Sequence, residues 1–304
     1  MFYIEEFNHR NPLKNYLAVF NKTMSCKIYP DLGASLQSLT VKNVEIIYGI
    51  DSLLEPSDVY TVHPSALLFP FPGRIENGRY SYDKKQYHLK QNEQNRANAI
   101  HGLVAHQSFA LKHSKAKKNE AILSFLYTSK NAANGFPFDF NFSIHYTFTN
   151  DQVLLNFEIQ NTGTNTFPFA LGWHPYFKCD ELPQCILNFR TSKEVLCDEE
   201  MIPLGKKEVG NFQDFKISNT HFDTCYVLDE NSINFSTNKY TAQIQVGSNN
   251  QHYLQLFTPC SRNCLAIEPM TCMPNAFNNK EGLLELSPKE YYNWNIELQI
   301  KTHV

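Results

Sequence analysis

The chain lacks the marks of membrane, secreted and nucleic-acid-binding proteins. No stretch approaches about 18 consecutive apolar residues, so no spanning segment is expected. The opening residues MFYIEEFNHR carry no basic segment followed by an apolar run, which argues against a secretory signal. Charged residues are 19% of the chain, the net charge is −3, and no basic stripe or block of like charges occurs. A nucleic-acid partner is therefore not expected. The eight cysteines, from Cys26 to Cys272, are dispersed. They fit a reduced, cytoplasmic protein better than a disulfide framework. The close pair Cys260 and Cys264 has no second pair to complete a zinc site, and no metal is expected. No Gly/Ser/Pro-rich linker and no repeat period divides the chain. No long segment has helical periodicity; short helices near 92–98 and 274–282 remain possible.

Period-two alternation is abundant. In 141–163, Phe142, Ile144, Tyr146 and Phe148 alternate with smaller or polar residues, as do Val153, Leu155, Phe157 and Ile159 after a polar turn. That pattern predicts a β-hairpin. A second hairpin is predicted over 78–89, turning at Asp83–Lys84–Lys85, and a third over 240–258, turning at Gly247–Asn250. Residues 291–300, with Tyr292, Trp294, Ile296, Leu298 and Ile300 in alternation, predict a closing strand. Hydrophobic residues make up 42% of 304, enough to bury a sizeable core. The fold expected is all-β: a large β-sandwich formed as a single domain over 1–304, with few short helices.

His63, His174 and Glu268 each precede a proline (VHPS, WHPY, IEPM). A residue before proline is pushed towards extended backbone, which restricts the launch direction of its side chain. GWHPYF admits two readings. The aromatics are core and His174 a satisfied buried imidazole, or the rings offer a face to a pyranose whose hydroxyls meet the polar groups. Arg74, after the Pro–Gly of LFPFPGRIENGRY, has a planar fork that suits two sugar oxygens or a structural salt bridge. His101 precedes a glycine that lets the backbone approach a ligand. Asp223 stands just before an apolar strand, as turn and cap aspartates also do. Glu268 follows an apolar run, where a carboxylate needs a partner.

The order of these motifs resembles the aldose 1-epimerase (galactose mutarotase) family. Arg in GRIENGRY, then HG, GWHPYF, Asp before an aromatic strand, and IEPMTCMPNAFN carry the likeness from about residue 30 onwards. The resemblance implies a β-sandwich of the galactose mutarotase type. It also implies a cleft that interconverts the α and β anomers of an aldohexose without metal or redox cofactor. By it, His174 matches the general acid, Glu268 the general base, and Arg74, His101 and Asp223 the residues that bind and orient a monosaccharide. The acid and base are expected on opposite sides of the hemiacetal, with Glu268 ionised and His174 protonated. Where relatives carry an aromatic and then a basic residue after HG, this chain has Leu103 and Ala105, and His106 is the group that could replace a contact. A hexose-6-phosphate epimerase, which could use Arg79, Lys84, Lys85 or Arg96 for an anionic group, and a non-catalytic carbohydrate-binding protein are the alternatives. A glycoside hydrolase would need two carboxylates about the bond. The oligomeric state is left open.

Overall fold

The computed structural model describes residues 1–52, 62–93, 95–129, 135–247 and 252–303. Strands dominate, and the expected all-β sandwich is the architecture observed. Tyr3–Phe7, Tyr16–Phe20, Met24–Tyr29, Ser35–Val41 and Val44–Glu45 form an antiparallel sheet in chain order. A larger antiparallel sheet begins with Ala110–Ala116, Ala121–Ser129, Phe140–Phe148 and Gln152–Asn161. It continues through Tyr291–Thr302, Tyr240–Val246, Asp223–Ser236, His252–Phe257, Cys264–Met270, Gly172–His174 and Ala66–Leu68.

The alternation read in the sequence is what the core uses. Phe140–Phe148 and Gln152–Asn161 pair with Phe148 opposite Val153, and every second residue of each is buried. Each large apolar side chain so buried contributes about 1.5–3 kcal/mol. Val19, Ile28 and Leu36 of the first sheet share one buried cluster with Phe125, Ile144 and Phe157 of the second. The Tyr146 hydroxyl crosses between them, donating to the Ala34 carbonyl at 2.8 Å. Truncating Phe157 would cost about 3–5 kcal/mol, the usual range for emptying an aromatic site.

Two hairpins and the closing strand agree with the sequence reading. In the second hairpin, Arg79–Tyr82 pairs with Lys85–His88, and the turn is only Asp83 and Lys84, both at positive φ. That is the conformation two-residue hairpin turns require. The third expectation fails. Tyr240–Val246 and His252–Phe257 do not pair with each other; both lie on Asp223–Ser236, one along each end of that long strand. Alternation specified two strands, but a strand with two free edges can pair elsewhere, and the long strand supplied the partner. Of the expected turn, 248–250 lie outside the described residues.

A short helix, Ala276–Asn279, falls within 274–282, entered and left through Asn275 and Lys280 at φ 62° and 66°. The 92–98 region contains no helix among the described residues. Its loop instead closes on itself, with the Asn92 and Glu93 amides donating to the Asn98 carbonyl.

Candidate functional site

His174 ends the strand Gly172–His174, and Pro175 separates it from Tyr176–Lys178. Period two survives the proline: His174 and Tyr176 share one face and stack at 4.9 Å, while Trp173 and Phe177 point into the core and are fully buried. The aromatic sugar face therefore does not form as a whole. Trp173 and Phe177 take the core reading, and Tyr176 alone of the three rings reaches the pocket.

Glu268 lies on Cys264–Met270, a strand buried along its whole length. Gln255 opposes it on the next strand, and Gln255 donates to Asp223 at 2.9 Å, so three adjacent strands deliver Glu268, Gln255 and Asp223 to one side. Arg74 and His101 arrive on a separate short ribbon. Arg74–Ile75 pairs with Ala99–Ile100, and the His101 amide donates to the Gly73 carbonyl at 2.9 Å. Gly102, at φ +74°, lies so close to the backbone of Phe69 that an added Cβ would stand 2.2 Å from its carbonyl oxygen. Only glycine fits there.

These elements enclose a cavity of about 350 Å³ lined by His174, Glu268, Arg74, His101 and Asp223 together. That is enough for one monosaccharide. His174 Nε2 and Glu268 Oε1 touch at 3.3 Å, with side-chain exposures of 5% and 3%. The second oxygen of Glu268, Oε2, is buried with no hydrogen-bond partner among the described residues. Such an atom is costly unless something arrives to meet it.

Two expectations need correction. His174 and Glu268, expected on opposite sides of a hemiacetal, do not stand apart across a gap; they meet side by side. Burial also opposes the charged forms expected of them. It lowers His174 to about 4 and holds Glu268 well above the ordinary carboxylate range, an effect the Asp223 charge adds to and Arg74 opposes. Desolvation thus favours a pair that shares one proton without net charge.

Another part of the lining is charged. Arg74 donates through Nε and Nη2 to Glu93 Oε1, both at 2.9 Å. Arg96 reaches the same oxygen at 3.2 Å, and Asn98 Nδ2 reaches the other at 3.0 Å. Burial alone would raise Glu93, but Arg74, with Asn98 and Arg96, holds it below its ordinary value. Sequence reading missed Glu93, which sits in a polar loop without motif or periodicity.

His63 also lines the cavity. Its backbone is left-handed, at φ 52°, not extended as its proline neighbour predicts. A turn closed by the Ala66 amide on the His63 carbonyl, and by the Ser65 amide on the His174 carbonyl, overrides that bias. His106 stands behind His63 rather than in the cavity. Of Arg79, Lys84, Lys85 and Arg96, Arg96 alone reaches the wall.

The fold is that of the galactose mutarotase-like proteins. A galactose mutarotase-like protein from Clostridium acetobutylicum superposes with a TM-score of 0.87 at 18% identity, covering 99% of this chain and 98% of the other. The galactose 1-epimerase of Lactobacillus acidophilus NCFM gives 0.81 at 15% identity, with 99% of each chain covered. Residues 17–299 match the sequence profile of the aldose 1-epimerase family, and the chain belongs to that family. YihR of Escherichia coli K12, an uncharacterized protein, is 29% identical over 267 residues, 84% of this chain and 83% of its own length. No helix among the described residues is long and apolar enough to cross a membrane.

Proposed function

We propose that the protein is an aldose 1-epimerase that interconverts the α and β anomers of an aldohexose. The observation that carries this reading is the buried contact of His174 Nε2 with Glu268 Oε1, at 3.3 Å, on the wall of a monosaccharide-sized cavity. Anomerisation opens and re-closes the C1–O5 bond with two proton transfers in each direction. Glu268 takes the proton of the C1 hydroxyl as the C1 carbonyl forms. His174 gives its proton to the ring oxygen as the C1–O5 bond breaks. Rotation about C1–C2 presents the other face, and the same two transfers run backwards. Both reacting oxygens are bonded to C1, so neighbouring groups can address them from one side, and a gap between acid and base is unnecessary. A desolvated pair holding one proton supplies one donor and one acceptor in either direction. Arg74 opposes the rise of Glu268 that burial causes, and so keeps the form with the carboxylate on Glu268 and the proton on His174 within reach. Each positioned transfer is worth about 10²–10⁴-fold.

Arg74, His101 and Asp223 are read as the groups that hold the ring and the open-chain aldehyde. The hexose-6-phosphate alternative is weaker, because Arg74 and Arg96 are both engaged by Glu93. A binding protein would have no use for an acid–base pair. One buried core shared by both sheets supports a single domain over 1–304. Eight free cysteines support a cytoplasmic setting. The test is polarimetry on freshly dissolved α-glucose and α-galactose: accelerated decay to equilibrium is expected, and decay at the buffer rate for every aldose tried refutes the reading.

A further inference from the structure

Four imidazoles run in a row, three of them on the cavity wall and His106 behind it. Ring centroids are 5.0 Å apart for His174 and His101, 5.0 Å for His101 and His63, and 5.2 Å for His63 and His106. The first two belong to the motifs already read as catalytic and binding. His63 belongs to none of them, yet it is 6% exposed and forms part of the cavity wall.

We propose that His63 is a further substrate-contacting residue, hydrogen-bonding through Nε2 to a sugar hydroxyl away from the reacting carbon, with its ring fixed by His106. This rests on the epimerase reading of the same site.

Three observations carry it. His63 Nδ1 is engaged by His106 Nε2 at 3.2 Å. One of those nitrogens must donate and the other accept, so the bond fixes the orientation of the His63 ring and ties its tautomer to that of His106. Nε2 has no partner among the described residues and is the nitrogen left for the cavity. Finally, the backbone spends conformational energy to place this ring. His63 is left-handed at φ 52°, as is His101 at φ 61°. Non-glycine residues adopt that region uncommonly, and it concentrates at functional sites. The Pro64 carbonyl beside it is clamped by the buried Gln37 amide at 2.5 Å. Burial, reinforced by His106 and His174, lowers His63 to about 3, so it meets substrate as a neutral imidazole. A neutral imidazole suits a hydroxyl and offers nothing special to an anion.

The experiment measures kcat and KM for His63→Ala, His63→Gln and His106→Gln. The panel is glucose, galactose, mannose, xylose and their monodeoxy analogues, with binding followed separately by ligand-observed NMR. For His63→Ala, KM is expected to rise about 5–10-fold for sugars bearing the contacted hydroxyl, the scale of one neutral hydrogen bond. KM should stay unchanged for the deoxy analogue lacking it, with the larger part of the loss in KM rather than kcat. His63→Gln, which keeps a donor and acceptor, should recover part of the loss, and His106→Gln should fall between. A uniform loss across the panel, including every deoxy sugar, overturns the contact and leaves His63 a packing residue. So does an unchanged KM in a folded His63→Ala protein. Wild-type binding without turnover, still weakened selectively by His63→Ala, refutes the epimerase reading while upholding the contact. No binding of any sugar overturns both.

Discussion

The two walls of the cavity solve opposite problems. On one, His174, Glu268, His101 and His63 are buried, and desolvation strips them of charge. On the other, Arg74, Glu93 and Arg96 keep their charges and neutralise one another in a hydrogen-bonded network that stays partly open to solvent. Proton transfer gains from a dry site, where a small change in proton position carries a large energy. Orientation gains from fixed, paired charges that need not be paid for again when substrate enters. On the proposed reading, the proton-transfer pair and the charged groups of the lining occupy different parts of one surface. Strands carry His174 and Glu268, and a loop with a short ribbon carries Glu93, Arg96 and Arg74.

The comparison can be broken most severely on the dry wall. Glu268→Gln keeps the shape but removes the proton acceptor. Anomerisation should fall about 10²–10⁴-fold, with sugar binding within a few-fold, as followed by polarimetry and by ligand-observed NMR. Near-wild-type turnover in that variant would transfer the base role elsewhere.

Next is the charged wall. Glu93→Gln leaves Arg74 and Arg96 facing each other without their carboxylate. Buried charged hydrogen bonds are worth about 1.5–3 kcal/mol, so KM should rise about tenfold while kcat moves less, because the acid–base pair is untouched. An equal fall in kcat would mean the walls are coupled rather than independent.

The dry wall should also show in stability against pH. Burial lowers His63 to about 3 and His106 and His174 to about 4, against about 6.5 in the unfolded chain. Below pH 6.5 these three histidines therefore bind more protons in the unfolded state than in the folded one, a trend that Glu268, raised by burial, partly opposes. Stability should fall as pH drops from about 6.5 towards 4, where the His106 and His174 contributions level off. Melting temperature recorded across that range checks it, and His106→Gln should flatten the slope. A slope unchanged in that variant would show that His106 does not titrate as its burial requires.

The smallest effect is expected from Tyr176→Phe. It keeps the ring stacked on His174 but removes the hydroxyl that donates to the Val62 carbonyl at 3.0 Å. A loss of about 1 kcal/mol in stability and no more than about threefold in turnover should follow, measured by denaturant titration and by polarimetry.

How much was legible beforehand varies by element. The strands Phe140–Phe148 and Gln152–Asn161 were readable because local alternation and a polar turn specify a hairpin without outside help. Tyr240–Val246 and His252–Phe257 carried the same local signal and still pair with a third strand, because alternation encodes which face is buried and not which edge is joined. The five proposed site residues could be named from short motifs whose spacing is local. Glu93 could not, and His63 was marked only by the proline that follows it, with no role attached. Glu93 matters only because Arg74, Arg96 and Asn98 converge on it, and His63 only because a turn points it at His101 and His106.

The order of residues by itself determined the all-β class, the buried faces of the main strands and the motifs that would bear chemistry, since each depends on neighbours a few positions away. Tertiary structure alone decided that His174 and Glu268 touch instead of flanking a gap, that burial takes away their charge, and that an arginine pair shares one glutamate. Distance, solvent exclusion and the sharing of partners are properties of segments far apart in the chain, and they come into being only when the sheets close over a common core.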